Sequence, residues 1–303
     1  MNGFRAGLAL SCGLLAVAAN AAVVAQHVDS DMTPTGKGWG VHQAEGQAPH
    51  ALQKRGGTGI SYHGGPVMLG TNHIYYIFYG NWSGNSAPGI LEDLANTMGG
   101  TPYWNINTTY TQGSSHISNS LSLGGATFDS YSQGANINDS GVQAAALRAI
   151  NNGSLPSDSH GVYLVVTSAD VNETSGFCTQ YCGWHTHASN NGVDIKYGFI
   201  GNPDRCPNNC EGIPGNAPNG NSGADGMATV IAHETMESVT DPDLNAWFDG
   251  RGAENGDKCN FNFGPTFTTS NGSTASETFG SRSFLVQQNW KNSGSGGCVQ
   301  HFP

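Results

Sequence analysis

The residues of this chain best suited to chemistry are concentrated in the run Ala232-His233-Glu234-Thr235-Met236-Glu237, followed by Glu254 and Asp257. On a helix, His233 and Glu237 project from one face with Glu234 beside them, the layout in which zinc hydrolases present two ligands and a base. A glutamate, Glu237, stands where the second histidine of that pattern is usual. A carboxylate oxygen binds zinc and also suits harder cations, so zinc is the expected ion and calcium the alternative. Glu254 and Asp257 precede Cys259, whose disulfide would hold their loop near the body. The expected metal ligands are therefore His233, Glu237, Glu254 and Asp257. Glu234 is the expected catalytic residue, a general base on a water activated by the ion.

Plainer readings compete at each position. Glu237 on an amphipathic helix is by default a solvent-facing residue, and His233 beside it a hydrogen-bonded one. Asp241, Asp243 and Asn245 could offer calcium oxygens at alternate positions of a turn, but the glycine and closing glutamate of an EF-hand are missing. His185 and His187 would point the same way on an extended backbone and could complete or rival the helix site. A His-x-His pair in a cysteine-rich loop is more often packing, and these two are not counted among the ligands. There is no Gly-x-Ser-x-Gly elbow, and Gly64-Gly65 lacks the Lys-Ser/Thr of a phosphate loop.

The elements that must position these groups follow from hydrophobic spacing. A helix starting near Asp225 and ending near Val239, before the Asp241-Pro242 break, carries the candidate site. Residues 73–79, 162–167 and 195–200 are β-branched and aromatic and bounded by turn formers, which predicts strands. Residues 87–98 and 140–151 have helical spacing, the second capped by Asp139 or Ser140, and residues 283–287 form a last strand. The fold class is a single α/β domain, a central mixed sheet with flanking helices.

The N-terminus reads as a secretory signal over residues 1–25: Arg5, an apolar stretch too short to span a membrane, then small residues. Residues 26–59 are polar and without periodicity, a disordered arm or propeptide ending near the dibasic pair Lys54-Arg55, and 60–303 is the folded domain. Loss of Cys12 with the signal leaves six of seven cysteines, consistent with three disulfides in an oxidising compartment. Cys259 and Cys298 form the simplest long-range pair beside the close pairs Cys178/Cys182 and Cys206/Cys210, with other connectivities open. A four-cysteine zinc site is the competing reading of those close pairs. Sequons at Asn81, Asn107, Asn138, Asn152, Asn172 and Asn271 are candidate glycan acceptors. A formal net charge of −11 argues against nucleic acid or an anionic membrane as partner.

A wider set of stretches is collinear with one known family. They include Tyr62-His63-Gly64-Gly65-Pro66, Tyr79-Gly80, Val165 to Val171, Gly176-Phe177-Cys178, Cys182-Gly183-Trp184-His185 and Gly201-Asn202-Pro203. The series continues through Asp225-Gly226-Met227, Ala232-His233-Glu234, Glu237, Asn245-Ala246-Trp247, Asp257 with Cys259, and Phe284 to Gln287. From about Tyr62 to Cys298 the chain resembles the EXORDIUM or phosphate-induced protein family. That resemblance implies an extracellular or cell-wall protein, linked in plants to cell expansion, whose partner is an extracellular or cell-wall component, peptide or carbohydrate. It assigns no enzyme class. The chain departs from the plant pattern at Thr240-Asp241-Pro242, where an Asn often precedes the proline, and in its long N-terminal arm. The helix motif also invites comparison with the layout of zincin-type hydrolases. The non-catalytic alternative is a carbohydrate-binding or signalling module with a structural ion or none, presenting tryptophans such as Trp82, Trp104, Trp184, Trp247 and Trp290 to sugars.

Overall fold

Residues 73–79 have no polar face, as a strand covered on both sides requires. In the computed structural model, which describes residues 1, 3, 32–37 and 59–303, this run becomes a central strand with Ile74–Tyr79 buried. All elements below lie in the unit Asp31–Pro303. In chain order the main strands are β1 (Asn72–Tyr79), β2 (Leu121–Asp129), β3 (Gly161–Thr167), β4 (Gly183–Asn190) and β5 (Val193–Ile200). They form one mixed sheet in the order β2-β1-β3-β5-β4, parallel except for β4, which runs antiparallel along the edge of β5. The expected mixed sheet is thus present.

Two of its strands carry weak sequence signals. β2 contains Gly124 and Gly125, which would ordinarily weaken a strand. The ring of Tyr75 crosses there: a Cβ on Gly124 would lie 2.4 Å from its Cζ, and the register with β1 shifts between Ile74 and Tyr75. β4 reads Gly-Trp-His-Thr-His-Ala-Ser-Asn, polar on its exposed stretch, and closes a hairpin with β5.

The helices α1 (Ala87–Thr97), α2 (Asp139–Asn151) and α3 (Ser222–Thr240) match the expected positions to within a turn. Asn138, rather than Asp139 or Ser140, caps α2, its side chain accepting from Gly141 N. Asn221, rather than Asp225, caps α3, accepting from Ala224 N. The chain moves from β1 to β2 in one direction and from β2 to β3 in the other, so right-handed crossovers place α1 and α2 on opposite faces. α3 packs with α1 and lies against β3, β4 and β5.

α3 is buried on every side, Gly223 through Thr240. The amphipathic, solvent-facing reading of Glu237 therefore fails: its exposure is 1%. The C-terminal third covers the helix. Gln287 N donates to Thr229 Oγ1, and Gln287 Nε2 donates to Gly256 O, tying the 254–257 loop to α3. The disulfide Cys259–Cys298 holds the same loop, as expected. The other two bonds run between the close pairs, Cys178–Cys206 and Cys182–Cys210, so these cysteines serve as parallel staples and not as a zinc site. The signal region 1–25 and most of 26–59 lie outside the described residues. Within the arm, Pro34 and Gly36 are buried against the domain.

Candidate metal centre

The helix period brings His233 and Glu237 together: His233 Nε2 lies 3.1 Å from Glu237 Oε1. Asp257 arrives from the covering loop, with Oδ1 at 3.5 Å from His233 Nε2. Its orientation is built in, because Oδ2 accepts from Glu254 N at 3.1 Å, while Asp257 N donates to Glu237 Oε1 at 2.9 Å. Two ligands each about 2 Å from one zinc at a tetrahedral angle are separated by about 3.3 Å. The spacings from His233 to the two carboxylates bracket that value. One ligand atom from each of His233, Glu237 and Asp257 lies within 4.8 Å of the other two, so the three form a grouping able to hold a metal ion.

His185 supplies a second side to the centre. β4 alternates its side chains, turning Gly183 and His185 toward α3; a Cβ on Gly183 would meet Glu234 Oε1 at 3.2 Å. His185 Nδ1 lies 3.3 Å from Glu234 Oε2 and 3.6 Å from Glu237 Oε2, a further grouping with metal-ligand geometry. Glu237 therefore faces His233 with one oxygen and His185 with the other. Glu254 falls beside His185, its Oε1 at 3.5 Å from Nε2, and not in the grouping around His233. The signal for His185 was the His-x-His pair on an extended stretch. Spacing alone could not show that β4 lies over α3.

The second histidine of that pair turns elsewhere. His187 lies near Asp194 and Asp243, but Lys196 already pairs with both carboxylates. The turn considered for calcium is similarly engaged: Asp241 Oδ1 accepts from the amides of Asn245 and Ala246, and Asp243 pairs with Lys196.

The centre is dry. His185, Glu234, Glu237 and Glu254 are at most 3% exposed, His233 5% and Asp257 8%. Glu234, Glu237 and Glu254 find their ion-pair partners, among the described residues, only in histidines. Burial and the nearby Asp257 carboxylate push Glu237 up to about 7. Burial, then the Glu237 charge, drives Glu254 well above the ordinary carboxylate range. For His233, burial favours the neutral ring, but the Glu237 charge prevails and holds the imidazole well above its usual value. His185 shifts the same way, with burial outweighed by its hydrogen bond to Glu234. Such a cluster retains protons or takes a cation. His185 Nε2, Glu254 Oε1 and Asp241 Oδ2 are buried without a hydrogen-bond partner, which fits polar atoms arranged for an ion.

Gly256 makes the close approach feasible. A Cβ there would lie 2.9 Å from His233 Cγ and 3.0 Å from Glu237 Oε1. Of the tryptophans named above, Trp82, Trp104 and Trp184 are buried and Trp247 and Trp290 half-buried, so these five present no row of fully exposed rings. Asn107 is fully buried, so its sequon is not available to a glycan in the folded chain. Among the described residues, no helix is long and apolar enough to cross a membrane.

Comparison with known proteins now bears on this geometry. Protein EXORDIUM-like 5 of Arabidopsis thaliana is 34% identical over 232 residues, 66% of this chain and 63% of that protein. Protein EXORDIUM-like 3 of the same plant is 33% identical over 218 residues, 63% of this chain and 64% of that protein. The chain thus spans less than two thirds of the length of either relative. Protein PHOSPHATE-INDUCED 1 of Nicotiana tabacum is 24% identical over 221 residues, 63% of this chain and 67% of that protein. No solved structure gives a significant match. The family described as the phosphate-induced protein 1 conserved region matches residues 60–293, from ahead of β1 through the covering loop and the Gln287 segment. The chain belongs to the phosphate-induced protein 1, or EXORDIUM-like, family.

Proposed function

We propose that this protein is a secreted, extracellular member of its family that binds zinc at His233, Glu237 and Asp257 and hydrolyses peptide or cell-wall material. The observation that carries this reading is the convergence of the three donors at ligand spacing inside a buried cluster of carboxylates and imidazoles. Bound zinc would supply Lewis acidity at the scissile bond. Glu234, adjacent to His233 in sequence and held at 3.3 Å by His185 Nδ1, is the base that takes the proton of the attacking water. Glu254 lies on the far side of that imidazole, its Oε1 3.5 Å from His185 Nε2, and adds a second negative group beside it.

The test is Glu234→Gln. Its expected result is metal content equal to wild type with hydrolysis reduced roughly 100-fold or more, measured against peptide and polysaccharide substrates. Hydrolysis that survives the substitution contradicts the base assignment. The depth of the centre favours a second reading, a structural ion in an extracellular binding or signalling module. Wild-type protein that carries a metal but cleaves none of those substrates would support that reading.

A further inference from the structure

β4 is an edge strand, and a free edge is a template for pairing with another segment. Part of that edge is taken by the chain's own N-terminal arm. His185 N donates to Gly36 O at 3.0 Å, on the side of β4 away from β5. Gly36 has φ +67, and a Cβ on it would fall 1.9 Å from His185 O and 3.4 Å from Leu244 Cδ2. Only glycine fits there. The next residue, Lys37, crosses to the other face of the sheet, where it pairs with Asp139 and lies 5.1 Å and 5.5 Å from the ring centroids of Tyr181 and Trp184. Upstream, Met32 N reaches Gly250 O at 3.4 Å, and a Cβ on Gly252 would meet Met32 O, Thr33 O and Pro34 N at 3.0–3.3 Å. Residues 32–37 thus run from the loop that precedes Glu254 to the strand that carries His185.

We infer that the β4 edge is a binding site for a polypeptide segment that places a left-handed glycine at the His185 amide followed by a basic residue, and that residues 32–37 are its intramolecular occupant. The recognition elements are the edge amide of His185, the cramped Gly36 position, and the Asp139, Tyr181 and Trp184 seat for a cation. Read together with the metal-dependent hydrolase proposed above, on which this step rests, the site names a peptide and not a polysaccharide as substrate. It also makes the arm a competitor for the same edge.

The experiment uses the full chain with Gly36→Val and Lys37→Glu combined, which unseat the arm without touching the sheet or the centre. Hydrogen exchange at the His185 amide should rise roughly tenfold or more over wild type. A fluorescein-labelled peptide of residues 31–38 should bind the double variant saturably and the wild type at least about tenfold more weakly, because the arm competes. The same peptide carrying Lys37→Glu should bind the double variant about tenfold more weakly than the unaltered peptide. Unchanged exchange at His185, or a peptide that binds both proteins alike or neither, overturns the inference. Elemental analysis of the same preparations separates the two claims: peptide binding without metal retains the edge and removes the centre, and metal without peptide binding does the reverse.

Discussion

At the scale of single residues, Glu237 is the joint of the centre, with one oxygen toward His233 and the other toward His185. Glu237→Ala would leave two buried imidazoles without their shared carboxylate, and the variant should lose bound metal. Gly256 is the second sensitive point. The methyl of Gly256→Ala would press on His233 and Glu237, a conflict that costs about 1–3 kcal/mol and displaces the ligand atoms. A lower melting temperature together with weaker metal retention on dialysis is the expected outcome, whereas wild-type values for both would show that the 254–257 loop yields freely. The pairing of His233 with Glu237 on α3 was legible because i and i+4 share a helix face. Glu254 and His185 were harder, since only the folded loop decides which carboxylate of Glu254 and Asp257 faces which histidine.

At the scale of elements, α3 carries His233 and Glu237 and the covering loop closes over them, so whatever fixes that loop fixes the candidate centre. The Cys259–Cys298 bond spans 39 residues, and opening it with Cys259→Ala and Cys298→Ala should cost about 4 kcal/mol by the loop-entropy relation. Denaturant unfolding should show that loss, and metal should dissociate at lower denaturant than the sheet unfolds. The sheet's far end offers a pH test remote from the centre. Partial burial opposes ionisation of Asp158, but hydrogen bonds from the His160 amide, His73 and Tyr75 hold its carboxyl below the usual value. A carboxylate depressed on folding contributes stability above its unfolded value, near pH 4, that is lost as pH falls through the lower folded value. Acid melting curves of Asp158→Asn should therefore be flatter below about pH 4 than those of wild type; parallel curves would remove Asp158 from the acid response. The strands β1, β3 and β5 were readable as continuous apolar runs. β2 was not, because its glycines are there for the Tyr75 ring, and β4 was not, because an edge strand exposes polar residues.

At the scale of the whole molecule, the chain is an α/β domain in which a fully buried central helix is wrapped by a disulfide-held C-terminal third. The composition foretold the disulfides, but not that two of them would link neighbouring cysteine pairs in parallel. The sequence also made the arm look featureless, since a single backbone hydrogen bond, one glycine and one lysine are enough to seat residues 32–37 on β4. The hydrolytic function proposed for this domain depends on one question, whether the buried carboxylates and histidines hold an ion. The most direct measurement is elemental analysis of the full-length protein, purified without added metal, beside its Glu237→Ala variant. About one equivalent of zinc is expected in the wild type and none in the variant; metal-free wild-type protein, or zinc undiminished in the variant, would contradict the metal centre.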